Sequence, residues 1–154
     1  MALSIRTLLD LPEDSAGGYR RLLVVEDDDV NAALLRHALE NSPKLSALQL
    51  RVDTCTTAEM MIDLFEQGGW NFCIVIVDEY LTDAGGKMTG SEGIIELKKR
   101  GCLSKFISCS GNCTPTDCAR FTAAGADAVW PKPLPSTAEI DIDIRMLLGG
   151  VGGD

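Results

Sequence analysis

Four short stretches place acids, a hydroxyl or a lysine at the point where an aliphatic run stops. "LLVVEDDD" ends on Glu26, Asp27 and Asp28, and "NFCIVIVDEY" ends on Asp78 and Glu79. "KFISCS" ends on Ser110, and "DAVW" runs into "PKP", with Lys132 between two prolines. The run Phe72–Val77 is short and rich in Ile and Val, which reads as a strand buried on both faces of a parallel sheet. Asp78 and Glu79 then read as an exposed pair at its carboxyl end, where ligands gather in open parallel sheets. If the first and third runs are neighbours, their ends lie only about 5 Å apart. Carboxylates that close repel unless one takes a proton or a cation sits among them. An all-oxygen set of this kind suits Mg²⁺. A lysine and a hydroxyl beside such a carboxylate suit a phosphoryl group carried on it.

The elements that must position these residues follow from periodicity and caps. After the polar lead-in Pro12–Gly18 and the first strand, Asp29 can cap a helix over "VNAALLRHALEN". "SALQLRVDTC" reads as the second strand, with Leu48, Leu50 and Val52 alternating. Thr56 or Thr57 caps a helix to about Gln67, stopped by Gly68 and Gly69. "SEGIIELKKRG" is a helix whose Lys98, Lys99 and Arg100 complement its carboxyl end. "TPTDCARFTAAG" carries Thr114 as cap, Pro115 at the first helical position and Gly125 as stop. "STAEIDIDIRMLL" opens with a Ser136–Glu139 capping box. Five alternating strand–helix units predict one doubly wound α/β sheet. Residues 1–20 read as a peripheral lead-in, 21–148 as the domain and 149–154 as a flexible tail.

Bulk properties narrow the classes. The 154 residues suffice for one core, and a net charge of −9 argues against a nucleic-acid binder, which needs a basic face. No apolar stretch is long enough to span a bilayer, and Asp10, Pro12 and Glu13 interrupt any secretory core, so a cytoplasmic site with no membrane contact is expected. The six cysteines form no C-x-x-C pair and face a single histidine, His37, which excludes zinc spacing and predicts free thiols.

At this point the sequence resembles the receiver domains of two-component response regulators, over roughly Arg21 to Leu148. "LVVEDD" is similar to the family's acidic segment, "IVIVDEYL" to its phosphoacceptor strand, "FISCSG" to its switch segment and "GADAVWPKPL" to its Lys-Pro segment. The resemblance implies a five-stranded sheet of flavodoxin-like order 2-1-3-4-5 with helices on both faces. It implies Asp78 as phosphoacceptor, Lys132 and Ser110 as its partners, and Mg²⁺, with Mn²⁺ as an alternative. Asp27 and Asp78 would hold the ion directly, Glu26 through water, and Tyr80 through its backbone carbonyl. A histidine kinase or histidine phosphotransfer protein would donate, and a downstream effector protein would read the result. Transfer would be self-catalysed, so the chain is a switch and no turnover enzyme. Two departures stand out. The loop after Asp78 looks about four residues long, at "DAGGKM". The switch-aromatic position falls on Val129, with Trp130 one residue out of phase and facing the other way.

Two other readings use the same residues. A pseudo-receiver would bind partners without being phosphorylated, as the long loop and Val129 would allow. A phosphatase with an aspartate nucleophile would need a second Asp two residues on, where this chain has Tyr80.

Overall fold

The computed structural model describes residues 19–68, 71–81 and 85–149. The elements run β1 (Arg20–Val25), α1 (Asp29–Asn41), β2 (Leu50–Cys55), α2 (Ala58–Gly68), β3 (Phe72–Asp78), α3 (Gly90–Lys99), β4 (Lys105–Ser110), α4 (Pro115–Ala124), β5 (Ala128–Pro131) and α5 (Thr137–Leu147). All strand pairs are parallel, in the order β2-β1-β3-β4-β5 expected above. The first strand runs outward to β2 and the third back inward, so β1 and β3 are neighbours and their carboxyl ends adjoin.

Alternation along the strands sorts the core into two layers. Leu22, Val24, Ile74, Ile76, Ile107 and Cys109 pack against α1 and α5, with Leu35, Leu39, Ile140 and Ile144. Leu23, Val25, Val75, Val77 and Phe106 pack against α2 and α3, with Met61, Phe65, Ile94 and Leu97. Every residue of β3 is buried, as a strand covered on both faces requires. Trp130 belongs to the α1/α5 layer and donates from Nε1 to Asp143 (2.7 Å), while Val129 is only half-buried. The one-residue phase difference read from the sequence is therefore real.

Three local expectations need correction. The α1 cap is Asp28, whose extended backbone lets Oδ1 accept from the Asn31 N–H at 2.9 Å; Asp29 sits in the first turn. The segment around Leu48 is a 3₁₀ turn over Ser46–Leu48, because successive local bonds from Leu45, Leu48 and Gln49 use the donors a strand would need. The strand begins only at Leu50. Asp78 and Glu79 are also no exposed pair: only 7% and 2% of their surfaces reach solvent. Elsewhere the caps fall as read, with Thr57 taking the α2 role by accepting from Met60 N–H (3.1 Å). Capping boxes close at Thr114–Asp117 and Ser136–Glu139, and Gly125 adopts a φ of 120° at the α4 end. The lead-in through residue 18, Gly69 of the α2 stop with Trp70, residues 82–84 of the long loop and the glycine tail from 150 lie outside the described residues.

Candidate phosphoacceptor site

Register brings the acids together. Val25 pairs with Val77, so the next residues, Glu26 and Asp78, leave the sheet side by side and on the same face. Carboxylate oxygens of Glu26, Asp27 and Asp78 all lie within 4.8 Å of one another. Lys132 arrives from the end of β5, where its backbone N–H extends the β4–β5 pairing by donating to Ser110 O (3.0 Å). Its ammonium donates to Glu26 Oε2 at 2.7 Å and Asp78 Oδ2 at 3.0 Å. Three strand ends thus deliver three acids and one base to one point.

The electrostatics follow from this crowding. Burial pushes the Glu26 carboxyl above its ordinary range; the hydrogen bond from Lys132 opposes the rise and the Asp78 charge adds to it. Burial pulls Lys132 down, but its hydrogen bonds to Glu26 and Asp78 outweigh that and leave the ammonium above the usual lysine range. The three carboxylates form a donor set of hard oxygens that fits a divalent cation such as Mg²⁺.

Ser110 is fully buried at the end of β4. Its hydroxyl oxygen accepts from the Asn112 N–H (3.1 Å) and stands outside the Lys132–Glu26–Asp78 network. Tyr80 directs a half-exposed ring outward, directly after the acids. Cys109, the β4 partner of Asp78, lines the same pocket, and burial pushes its thiol up to about 12. Glu26, Asp78 and Lys132 line a cleft of about 320 Å³ together with apolar Leu35, Ile76, Cys109 and Leu134. His37 is exposed on α1, away from the acids.

The sequence reading missed the residues that hold the site in place. Glu79, one residue past Asp78, points to the opposite face. Its carboxylate accepts from Ser91 N–H (2.7 Å) and Ser91 Oγ (2.9 Å) at the start of α3, and from the Arg120 guanidinium of α4. The backbone joins in: Glu79 N–H donates to Cys109 O (3.2 Å) and Gly90 N–H to Glu79 O (3.0 Å). Gly90 is obligatory, since a Cβ there would run into the Asp78 carbonyl. On the far side of the loop, the Glu59 carboxylate of α2 accepts from Lys87 N–H (3.0 Å) and Met88 N–H (3.2 Å), anchoring the stretch that enters α3. The period-2 rule carried the signal for Glu79; nothing local carried one for Arg120 or Glu59.

Similarity to known proteins agrees with this fold. The chain is 25% identical over 114 residues to the two-component response regulator ORR41 of Oryza sativa subsp. japonica, covering 74% of this chain and 84% of that protein. No family model matches the chain. The receiver domain of the Francisella response regulator 1452 superposes with a TM-score of 0.72 at 16% identity, over 86% of this chain and 99% of that one. A CheY-like response regulator receiver domain from Methanospirillum hungatei JF-1 gives 0.69 at 23% identity, over 86% and 95%. A chain of the CheX–CheY–BeF₃–Mg²⁺ complex from Borrelia burgdorferi gives 0.70 at 17% identity, over 84% and 90%. The fold is that of the response regulator receiver domains, and the sequence is similar to a two-component response regulator. Among the described residues, no helix is long and apolar enough to cross a membrane.

Proposed function

We propose that this chain accepts a phosphoryl group on Asp78 from a phosphohistidine of a histidine kinase or phosphotransfer protein, and signals the change to a partner protein in the cytoplasm. The observation that carries this reading is Lys132, whose ammonium is bonded at once to Asp78 and Glu26, with an Asp27 oxygen within 4.8 Å of theirs. Asp27 and Asp78, the Tyr80 carbonyl and, through water, Glu26 would hold a Mg²⁺ ion (or Mn²⁺). Such an ion would neutralise charge on the phosphoryl oxygens.

The chain's own residues perform the rest. An Asp78 oxygen attacks phosphorus in line; the P–N bond breaks, and the donor nitrogen leaves with its electron pair. The Lys132 ammonium, already against Asp78 Oδ2, faces the incoming negative charge at no cost of reorganisation. The Ser110 hydroxyl exchanges its Asn112 contact for a phosphoryl oxygen and draws the β4–α4 loop with it. Glu79 holds the acceptor strand to α3 and α4 throughout.

The BeF₃ and Mg²⁺ of the Borrelia complex support the reading by analogy of fold alone. The test is incubation with phosphoramidate or acetyl phosphate, with and without Mg²⁺, followed by intact mass. One added phosphoryl group is expected with Mg²⁺, and none in Asp78→Asn. No addition under any condition would leave the pseudo-receiver reading in its place.

A further inference from the structure

The six thiols fall into two groups. Cys55, Cys73, Cys102 and Cys109 are buried, whereas Cys113 and Cys118 are partly exposed and sit together at the entry to α4. Their proximity is a product of helix capping. Thr114 is the cap residue, so Cys113 is the residue before the cap and Cys118 the fourth residue of the helix. Side chains at these two positions meet across the first turn, where an apolar pair commonly fixes the entering chain. The corresponding positions of α5, capped by Ser136, hold Pro135 and Ile140. In α4 the same place is filled by two thiols.

Their contacts reach the phosphoacceptor side of the fold. Cys118 Sγ lies 3.8 Å from the Cys113 carbonyl, and Cys118 N–H donates to Thr114 O at 2.9 Å. Cys113 Sγ donates to the Ser110 carbonyl at 3.2 Å, the same oxygen that accepts from the Lys132 N–H. Burial, and then the neighbouring Cys118 and Asp117, raise the Cys113 thiol above its ordinary value.

We propose that Cys113 and Cys118 form a reversible disulfide on exposure to a hydroperoxide, a modification site that fastens the β4–α4 loop to the first turn of α4. Cys118 takes the distal peroxide oxygen as sulfenic acid, and the alcohol or water leaves. Cys113, protonated until it reacts, then attacks that sulfur; the S–S bond forms and water departs with the hydroxyl. Two thiols give up two electrons in total, and the peroxide bond receives them. The oxidised form loses the Cys113 S–H bond to Ser110 and gains a covalent tie three residues beyond it. If the receiver reading holds, the Ser110 movement is then restrained, and phosphorylation produces a smaller change in the loop.

The experiment treats the full chain with dilute hydrogen peroxide and measures intact mass and free thiols after denaturation. The expected result is loss of two hydrogens and of two of the six thiols, reversed by dithiothreitol and absent from both Cys113→Ser and Cys118→Ser. Fragmentation of the peptide spanning Cys109 to Cys118 should map the link to residues 113 and 118, with Cys109 still alkylated. An unchanged wild-type mass, a disulfide that survives in either variant, or a bond joining two chains would overturn the proposal. Asp78→Asn should oxidise like wild type, so a failure of phosphorylation and a failure of the disulfide are read separately.

Discussion

Asp78 and Glu79 are adjacent acids at the end of one strand, and they lead opposite lives. Asp78 emerges on the α1/α5 face, into a pocket where it meets two other acids and a single lysine. Glu79 emerges on the α3/α4 face, where Ser91 and Arg120 occupy its oxygens. The first shares one ammonium with Glu26; the second holds two donors of Ser91 and a guanidinium. Sequence and strand supply the two carboxylates equally; the neighbouring elements decide which partners each one meets. Glu79 ties the end of β3 to α3 and α4, which also fixes the backbone beside Asp78.

Substitution should therefore separate the pair. Glu79→Ala strips two donors of Ser91 of their acceptor, leaves the Arg120 ion pair broken and opens a void. It should cost about 2–4 kcal/mol in denaturant unfolding. Asp78→Asn removes one charge from a repelling cluster and should change stability by less than about 1 kcal/mol. Equal losses in the two variants would erase the distinction.

Lys132→Ala comes next in size. Without the ammonium, Glu26 and Asp78 face each other across a half-buried pocket, and the metal-free protein should lose about 1–2 kcal/mol. Mg²⁺ should restore much of that, since an ion bound only by the native state stabilises it. Conformational response should nonetheless vanish: NMR shifts at Ser110 and Val129 on adding beryllofluoride should be present in wild type and absent in the variant.

Much of this site could be read from the chain. Asp78, Glu26, Asp27, Lys132 and Ser110 each end an aliphatic run, and the alternation of five strands with five helices brings strand ends to one edge. Caps written into single residues, such as Thr114, Pro115 and Gly125, also fell where composition put them. What escaped were contacts between distant segments. Arg120 finds Glu79 across 41 positions, and Glu59 finds the backbone of Lys87 and Met88 across the loop. No local propensity encodes such pairs, because they exist only once α2, α3 and α4 are packed on the sheet. The reading of Asp78 and Glu79 as exposed failed for the same reason: Lys132 covers the first, and Ser91 and Arg120 cover the second, all from segments later in the chain.

Smaller effects sharpen the contrast further. Asp27→Asn relieves repulsion in the cluster and should raise the stability of the metal-free protein by about 0.5–1 kcal/mol while removing most of the Mg²⁺ effect on melting temperature. Loss of stability with the Mg²⁺ response intact would make Asp27 a capping charge only.

The pH dependence has a definite sign. The folded Glu26 carboxyl titrates above its unfolded value of 4.5, so the native state holds the extra proton. Metal-free stability should rise as pH falls from neutral through the raised value, and the gain should be complete near 4.5. Glu26→Gln should flatten that part of the profile, as measured by urea unfolding at several pH values. A variant that keeps the wild-type slope would place the proton elsewhere.

The most direct measurement distinguishes the two neighbours chemically. Borohydride reduces an acyl phosphate to an alcohol, marking the carboxyl that carried it. After phosphoramidate treatment with Mg²⁺ and reduction, the peptide carrying Asp78 and Glu79 and the peptide carrying Asp27 should be fragmented and searched for the new alcohol. The account predicts homoserine at position 78, with Glu79 unmodified. A reduced residue at Glu79, at Asp27 or at no position would contradict it.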